Sequence, residues 1–119
     1  MTHEIQRVHF VGIGGVGMSA LAELLNHRGY TVSGSDRERS DLTDRAATLG
    51  IEVHIGHNAD YASNAEAVVY TPAIDEDNPE LAEAKRRGLP VIKRAELLGE
   101  VTQGERLVAV AGENDRLKL

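Results

Sequence analysis

Apolar positions along this chain alternate between two rhythms. Residues 8–11 form a short run rich in valine and phenylalanine that stops at Gly12, the signature of a buried strand. Met18, Leu21, Ala22 and Leu25 then recur at i, i+3, i+4 and i+7, which is one face of a helix, and Gly29 stands where that helix should stop. Residues 30–35 read as a second strand. Leu42, Ala46 and Leu49 mark a second helix face closed by Gly50, and residues 51–55 a third strand. Residues 67–70 are apolar throughout and predict a fourth strand. Asn78-Pro79 supplies an N-cap and a first helical residue, and Gly88 ends that helix. Residues 90–93 predict a fifth strand, 95–101 a short last helix, and 107–111 a sixth strand.

Strands and helices in strict alternation predict an α/β fold. The expected architecture is a Rossmann-like open, mostly parallel sheet of about five to six strands with helices on both faces. Ligands of such sheets sit outside the carboxyl ends of the strands, where strand order reverses. The informative segments are therefore 12–17, 36–41, 56–64 and 71–78.

Gly12, Gly14 and Gly17 fit G-x-G-x-x-G, and Gly15 adds a fourth glycine. Such a loop permits a tight turn, close approach of a pyrophosphate to backbone, and close helix–strand packing. The amides opening the helix, expected near Gly15, Val16 and Gly17, have no intrahelical partner and favour an anion. Asp36 ends the next strand, where a carboxylate can accept ribose hydroxyls. The combination of strand, glycine loop, amphipathic helix and acidic strand end is the context that the fingerprint requires. The same features also fit an NAD(H)-binding domain of a dehydrogenase or redox regulator.

Composition narrows the partners. The 119 residues make one domain. Asp and Glu number 19 against 13 Lys and Arg, a net charge of −6, so binding to nucleic acid through clustered cations is not expected. No apolar run reaches membrane-span length, and the polar start has no signal-peptide stretch, so no membrane partner and a cytoplasmic location are expected. With no cysteine there is no thiolate chemistry, and no histidine pair has metal-ligand spacing with a third ligand nearby. Of five histidines only His57 falls in a loop at the binding edge. His9 and His54 read as strand residues facing a sheet surface, while Lys93, Arg94 and Asp75 to Asp77 read as solvated.

Val8-His9-Phe10-Val11-Gly12-Ile13-Gly14-Gly15-Val16-Gly17-Met18-Ser19 followed by Gly34-Ser35-Asp36 resembles the amino-terminal domain of the Mur ligases. Gly56-His57, Thr71-Pro72-Ala73-Ile74, Asn78-Pro79-Glu80 and Pro90-Val91-Ile92-Lys93-Arg94-Ala95-Glu96 agree, so the resemblance spans about residues 5–112. It implies a cytoplasmic, three-domain ligase of peptidoglycan synthesis. Its first domain would bind the UDP part of UDP-N-acetylmuramate, its second ATP and magnesium, and its third would help hold L-alanine. Carried over by position, Ile13, Gly14, Gly15, Val16, Gly17, Met18 and Ser19 would hold the diphosphate. Asp36 and His57 would contact the uridine, with Thr71 and Ala73 lining the same cleft.

The chain departs from that family pattern after Gly112. The family continues Thr-His-Gly-Lys-Thr, whereas this sequence continues Glu113-Asn114-Asp115-Arg116. The lysine and hydroxyl of a P-loop are not in place. The expectation is a UDP-sugar-binding domain at 1–106, the start of an ATP domain at 107–112, and a disordered tail at 113–119. UDP-N-acetylmuramate or UDP would bind without chemistry and without a cofactor in this chain. The apolar 107–111 strand would dock on the sheet edge or drive self-association.

Overall fold

A computed structural model describes residues 2–102, 106–110 and 117–118. Strand β1 (Thr2–Glu4) leads to β2 (Arg7–Val11), helix α1 (Val16–His27) and β3 (Thr31–Asp36). Helix α2 (Asp41–Thr48), β4 (Glu52–Ile55), a 3₁₀ turn (Ala59–Ala62) and β5 (Ala67–Tyr70) follow. The chain continues through α3 (Pro79–Arg86), β6 (Val91–Lys93), α4 (Arg94–Val101), β7 (Val108–Val110) and β8 (Leu117–Lys118).

Five strands form one parallel sheet in the order β4-β3-β2-β5-β6. Strand order reverses between β3 and β5, on either side of β2, and this places the cleft beyond the end of β2. The sheet is fed by helices whose starts the sequence encodes. Ser40 and Thr43 form a reciprocal capping box on α2, and Asn78 Oδ1 accepts the Glu80 amide at 2.8 Å to cap α3, with Pro79 as its first residue.

Alternation along the strands divides the core between the two faces. Val8 and Phe10 of β2, with Ala67 and Val69 of β5, pack with Met18, Leu21, Ala22 and Leu25 of α1 and with Leu97 and Val101 of α4. Val11 and Val68 face the other way, toward Ala62, Leu81 and Ala84 of the 3₁₀ turn and α3. The predicted face of α1 is thus its buried face. Gly34 has a packing reason: a Cβ there would lie 2.7 Å from Ile13 Cβ, so the fully buried Ile13 closes over bare β3 backbone.

The last predicted strand does not join the parallel sheet. β7 pairs antiparallel with β1 on one side and β8 on the other, in a separate three-stranded sheet. The edge expected to seek an outside partner is occupied within the chain. Of the segment expected to be a disordered tail, Leu117–Lys118 form β8, and 113–116 and 119 lie outside the described residues. Ile5 N donates to Leu107 O at 3.1 Å and Leu107 N to the Tyr30 hydroxyl at 3.0 Å, fastening this part to the domain.

Candidate functional site

The carboxyl ends of β2, β3, β5 and β6 surround a cleft of about 570 Å³, within the range of small-molecule sites. Its floor is the glycine loop. Gly12, at φ +84°, turns the chain out of β2, and the amides of Gly12 and Ile13 both donate to Ser35 O, at 2.8 and 2.9 Å. The loop is therefore stitched to β3 before it reaches α1.

The next two loop amides are also satisfied inside the protein. Gly14 N donates to Asp36 Oδ2 at 2.8 Å, and Gly15 N to Gly12 O at 3.1 Å. The first helical bond is Ser19 N to Gly15 O at 2.8 Å, and no side chain caps α1. The orphan amides are thus those of Val16, Gly17 and Met18, one residue later than the sequence suggested. They carry the positive end of a helix of 12 residues.

Gly15, Gly17, Met18, Asp36, His57, Thr71 and Ala73 line the cleft. Ile13 and Ser19 do not. Ile13 is core, and the buried Ser19 hydroxyl donates to Val16 O at 3.2 Å. Val16 is 81% exposed and outside the cleft lining. Gly14 lies behind the rim: a Cβ on it would meet Asp36 Oδ2 at 2.7 Å and Thr43 Cγ2 at 3.1 Å rather than open cleft. Asp36 is accordingly a loop clamp as well as a lining residue.

Arg94, read from the sequence as solvated, also lines the cleft. Its side chain covers the first turn of α1, where a Cβ on Gly17 would lie 3.1 Å from a guanidinium nitrogen. Arg37, Asp75 and Asp77 complete the charged rim. The positive potential of the cleft thus comes from Arg94, Arg37 and the α1 amides together.

His57 sits over a buried polar cluster. Glu80, in the first turn of α3, has a fully buried side chain, as has His9 on β2. Glu80 Oε1 lies 2.6 Å from His9 Nε2 and within hydrogen-bond distance of Ser35 Oγ. Its Oε2 lies 2.8 Å from His57 Nδ1 and accepts Asn58 N at 3.3 Å. His9 Nδ1 meets Ser33 Oγ at 2.8 Å. The β2–β3 register pairs His9 with Ser33 and Val11 with Ser35, which brings the two hydroxyls to one face beside the imidazole. Burial works to raise the Glu80 carboxyl. The hydrogen bonds from His9, Ser35 and His57, with the charge of His9, outweigh it and hold the group below the ordinary carboxylate range. His9 does face a sheet surface, but one covered by α3, where it is part of a buried network. His54 stacks on Tyr61 with ring centroids 4.1 Å apart.

The order of the parallel sheet and the position of its cleft define a Rossmann-like α/β domain. Within that class, the model of the Mur ligase family, catalytic domain, matches residues 7–106, and the chain belongs to this family. It is 48% identical to the UDP-N-acetylmuramate–L-alanine ligase of Geobacter sulfurreducens over 98% of this chain and 25% of that protein. It is 50% identical to the ligase of the same name from Salinibacter ruber over 94% of this chain and 24% of that one. The chain thus spans about a quarter of the length of the curated relatives it matches. Among solved structures, UDP-N-acetylmuramate-alanine ligase MurC from Thermotoga maritima superposes with a TM-score of 0.80 at 35% identity, over 86% of this chain and 23% of that one. Shikimate dehydrogenase from Aquifex aeolicus, at 17% identity and a TM-score of 0.54 over 80% of this chain and 44% of that one, shares the fold. Among the described residues no helix is long and apolar enough to cross a membrane.

Proposed function

We propose that the cleft binds the UDP portion of UDP-N-acetylmuramate, the compound named in its relatives. The observation that carries this reading is the uncapped start of α1, with Arg94 lying over it at the cleft. A diphosphate there receives orphan amides, the helix dipole and a guanidinium, although the chain as a whole is acidic. Asp36, His57, Thr71 and Ala73 lie along the same cleft and would receive the nucleoside. Whatever longer protein carries such a domain would join L-alanine to the sugar nucleotide, as the names of the relatives state, in an ATP- and magnesium-dependent reaction. The residues in hand do not fit that cofactor. Residues 107–119 hold no P-loop lysine and hydroxyl at the required spacing, and the described residues offer no cluster of metal ligands. No catalytic step is assigned to this chain.

Calorimetric titration with UDP and with UDP-N-acetylmuramate tests the proposal, with NADH as competitor. Saturable binding of both uridine compounds, undisturbed by NADH, is expected. No binding of either one overturns it, and displacement by NADH would transfer the cleft to a nicotinamide dinucleotide.

A further inference from the structure

We propose that Glu80 is a positioning residue for the cleft: it keeps the His57 ring proton on Nδ1 and so presents Nε2 to the ligand as a hydrogen-bond acceptor. An ionised carboxylate accepts and cannot donate. Every group facing Glu80 must therefore donate to it, and His57 does so through Nδ1 at 2.8 Å. Ser35 Oγ, 3.2 Å from the same nitrogen, offers that proton a second acceptor while its own hydrogen goes to Glu80.

Glu80 is held in turn. Its amide is capped by Asn78, and its Oε1 is fixed by His9 and Ser35 on neighbouring strands. The His57 side chain keeps 24% of its surface, and its Nε2 has no hydrogen-bond partner among the described residues. No described side-chain nitrogen is both buried and unpaired, so Nε2 is open to solvent on a residue that lines the cleft. A neutral imidazole held this way selects a ligand carrying a donor, such as a hydroxyl or an imide N–H. This ligand preference rests on the nucleotide-binding reading above, whereas the effect of Glu80 on the ring does not.

Long-range ¹⁵N–¹H spectra of the histidine rings in mildly alkaline buffer test the first part without any ligand, with His57 assigned from His57→Ala. The wild-type chain should show the proton on Nδ1. Glu80→Gln, with its sheet amide signals retained, should move His57 toward the Nε2-protonated form. Ser35→Ala, which disturbs the same cluster but leaves the carboxylate, should not. A wild-type ring protonated on Nε2, or a tautomer unchanged in folded Glu80→Gln, would overturn the proposal. The wild-type spectrum decides even if that variant does not fold. UDP affinity supplies the second part. Glu80→Gln should lose about tenfold, and the Glu80→Gln/His57→Ala double variant should bind no worse than His57→Ala alone. Fully additive losses would show that Glu80 does not act through His57. If wild-type protein ignores UDP, the nucleotide reading fails while the ring spectra still decide the role of Glu80.

Discussion

The backbone N–H of Gly14 points at Asp36 Oδ2, 2.8 Å away, so the carboxylate at the end of β3 restrains the loop at the end of β2. A carboxylate read from sequence as a ribose acceptor already has both oxygens engaged, Oδ2 by Gly14 and Oδ1 by the Glu38 amide at 3.3 Å. Asp36→Ala should therefore destabilise the chain before any ligand is added. The expected loss is about 1.5–3 kcal/mol, the range for a hydrogen bond to a charged group. Urea denaturation measures it. Asp36→Asn, which retains a carbonyl acceptor, should lose less.

Gly34→Ala should cost about 1–3 kcal/mol by overpacking. The added methyl would strike Ile13, which is buried and cannot swing into solvent. A melting temperature equal to that of wild type would show that the loop relaxes freely. Gly50→Ala is the contrasting case. Nothing lies within 4 Å of its Cβ position, and the penalty there comes only from φ +92°.

Acid should weaken the wild-type domain partly through Glu80. Its carboxyl lies lower in the folded chain than the ordinary value of about 4.3 for an unfolded one. Between those two values the unfolded chain binds more protons, so stability rises with pH. The contribution is complete above the ordinary carboxylate value and is lost as pH falls through the folded one. Glu80→Gln should flatten this part of the curve of unfolding free energy against pH, with His9 and His57 still in place. At neutral pH Glu80→Ala should cost about 3 kcal/mol or more, because it leaves buried partners unmatched.

Arg94→Gln should weaken UDP about tenfold, the loss of one charge-assisted contact to phosphate. Uridine, which has no phosphate, should bind both proteins equally. The salt dependence of UDP binding should also be shallower in the variant, which titrations at two ionic strengths would reveal.

Much of this architecture is legible from residue order. The α1 face, the Asn78-Pro79 helix start and the five parallel strands follow from local pattern and capping chemistry, which act over a few residues. The β7 pairing was not legible, because Val108 is joined to Glu4 by contacts that no local pattern encodes. Arg94 was misread for a related reason. An arginine at a helix start says nothing about which neighbouring turn it covers. The buried cluster left a fainter trace. His9 breaks the apolar run of β2, and Ser33 and Ser35 on the neighbouring β3 share its parity, a hint that their common face holds something polar. The residue they meet, Glu80, resembles any acidic first-turn residue until the sheet is assembled.

The fastening of His57 to Glu80 has an entropic consequence. A free imidazole on a loop would surrender rotamer freedom on meeting a ligand, at about 0.5–1.5 kcal/mol for an immobilised side chain. Here folding has already stilled the ring, through an anchor that reaches down to His9 in the middle of the sheet. A ligand entering the proposed site would meet a wall that no longer needs to be ordered, and more of its contact energy would remain as affinity.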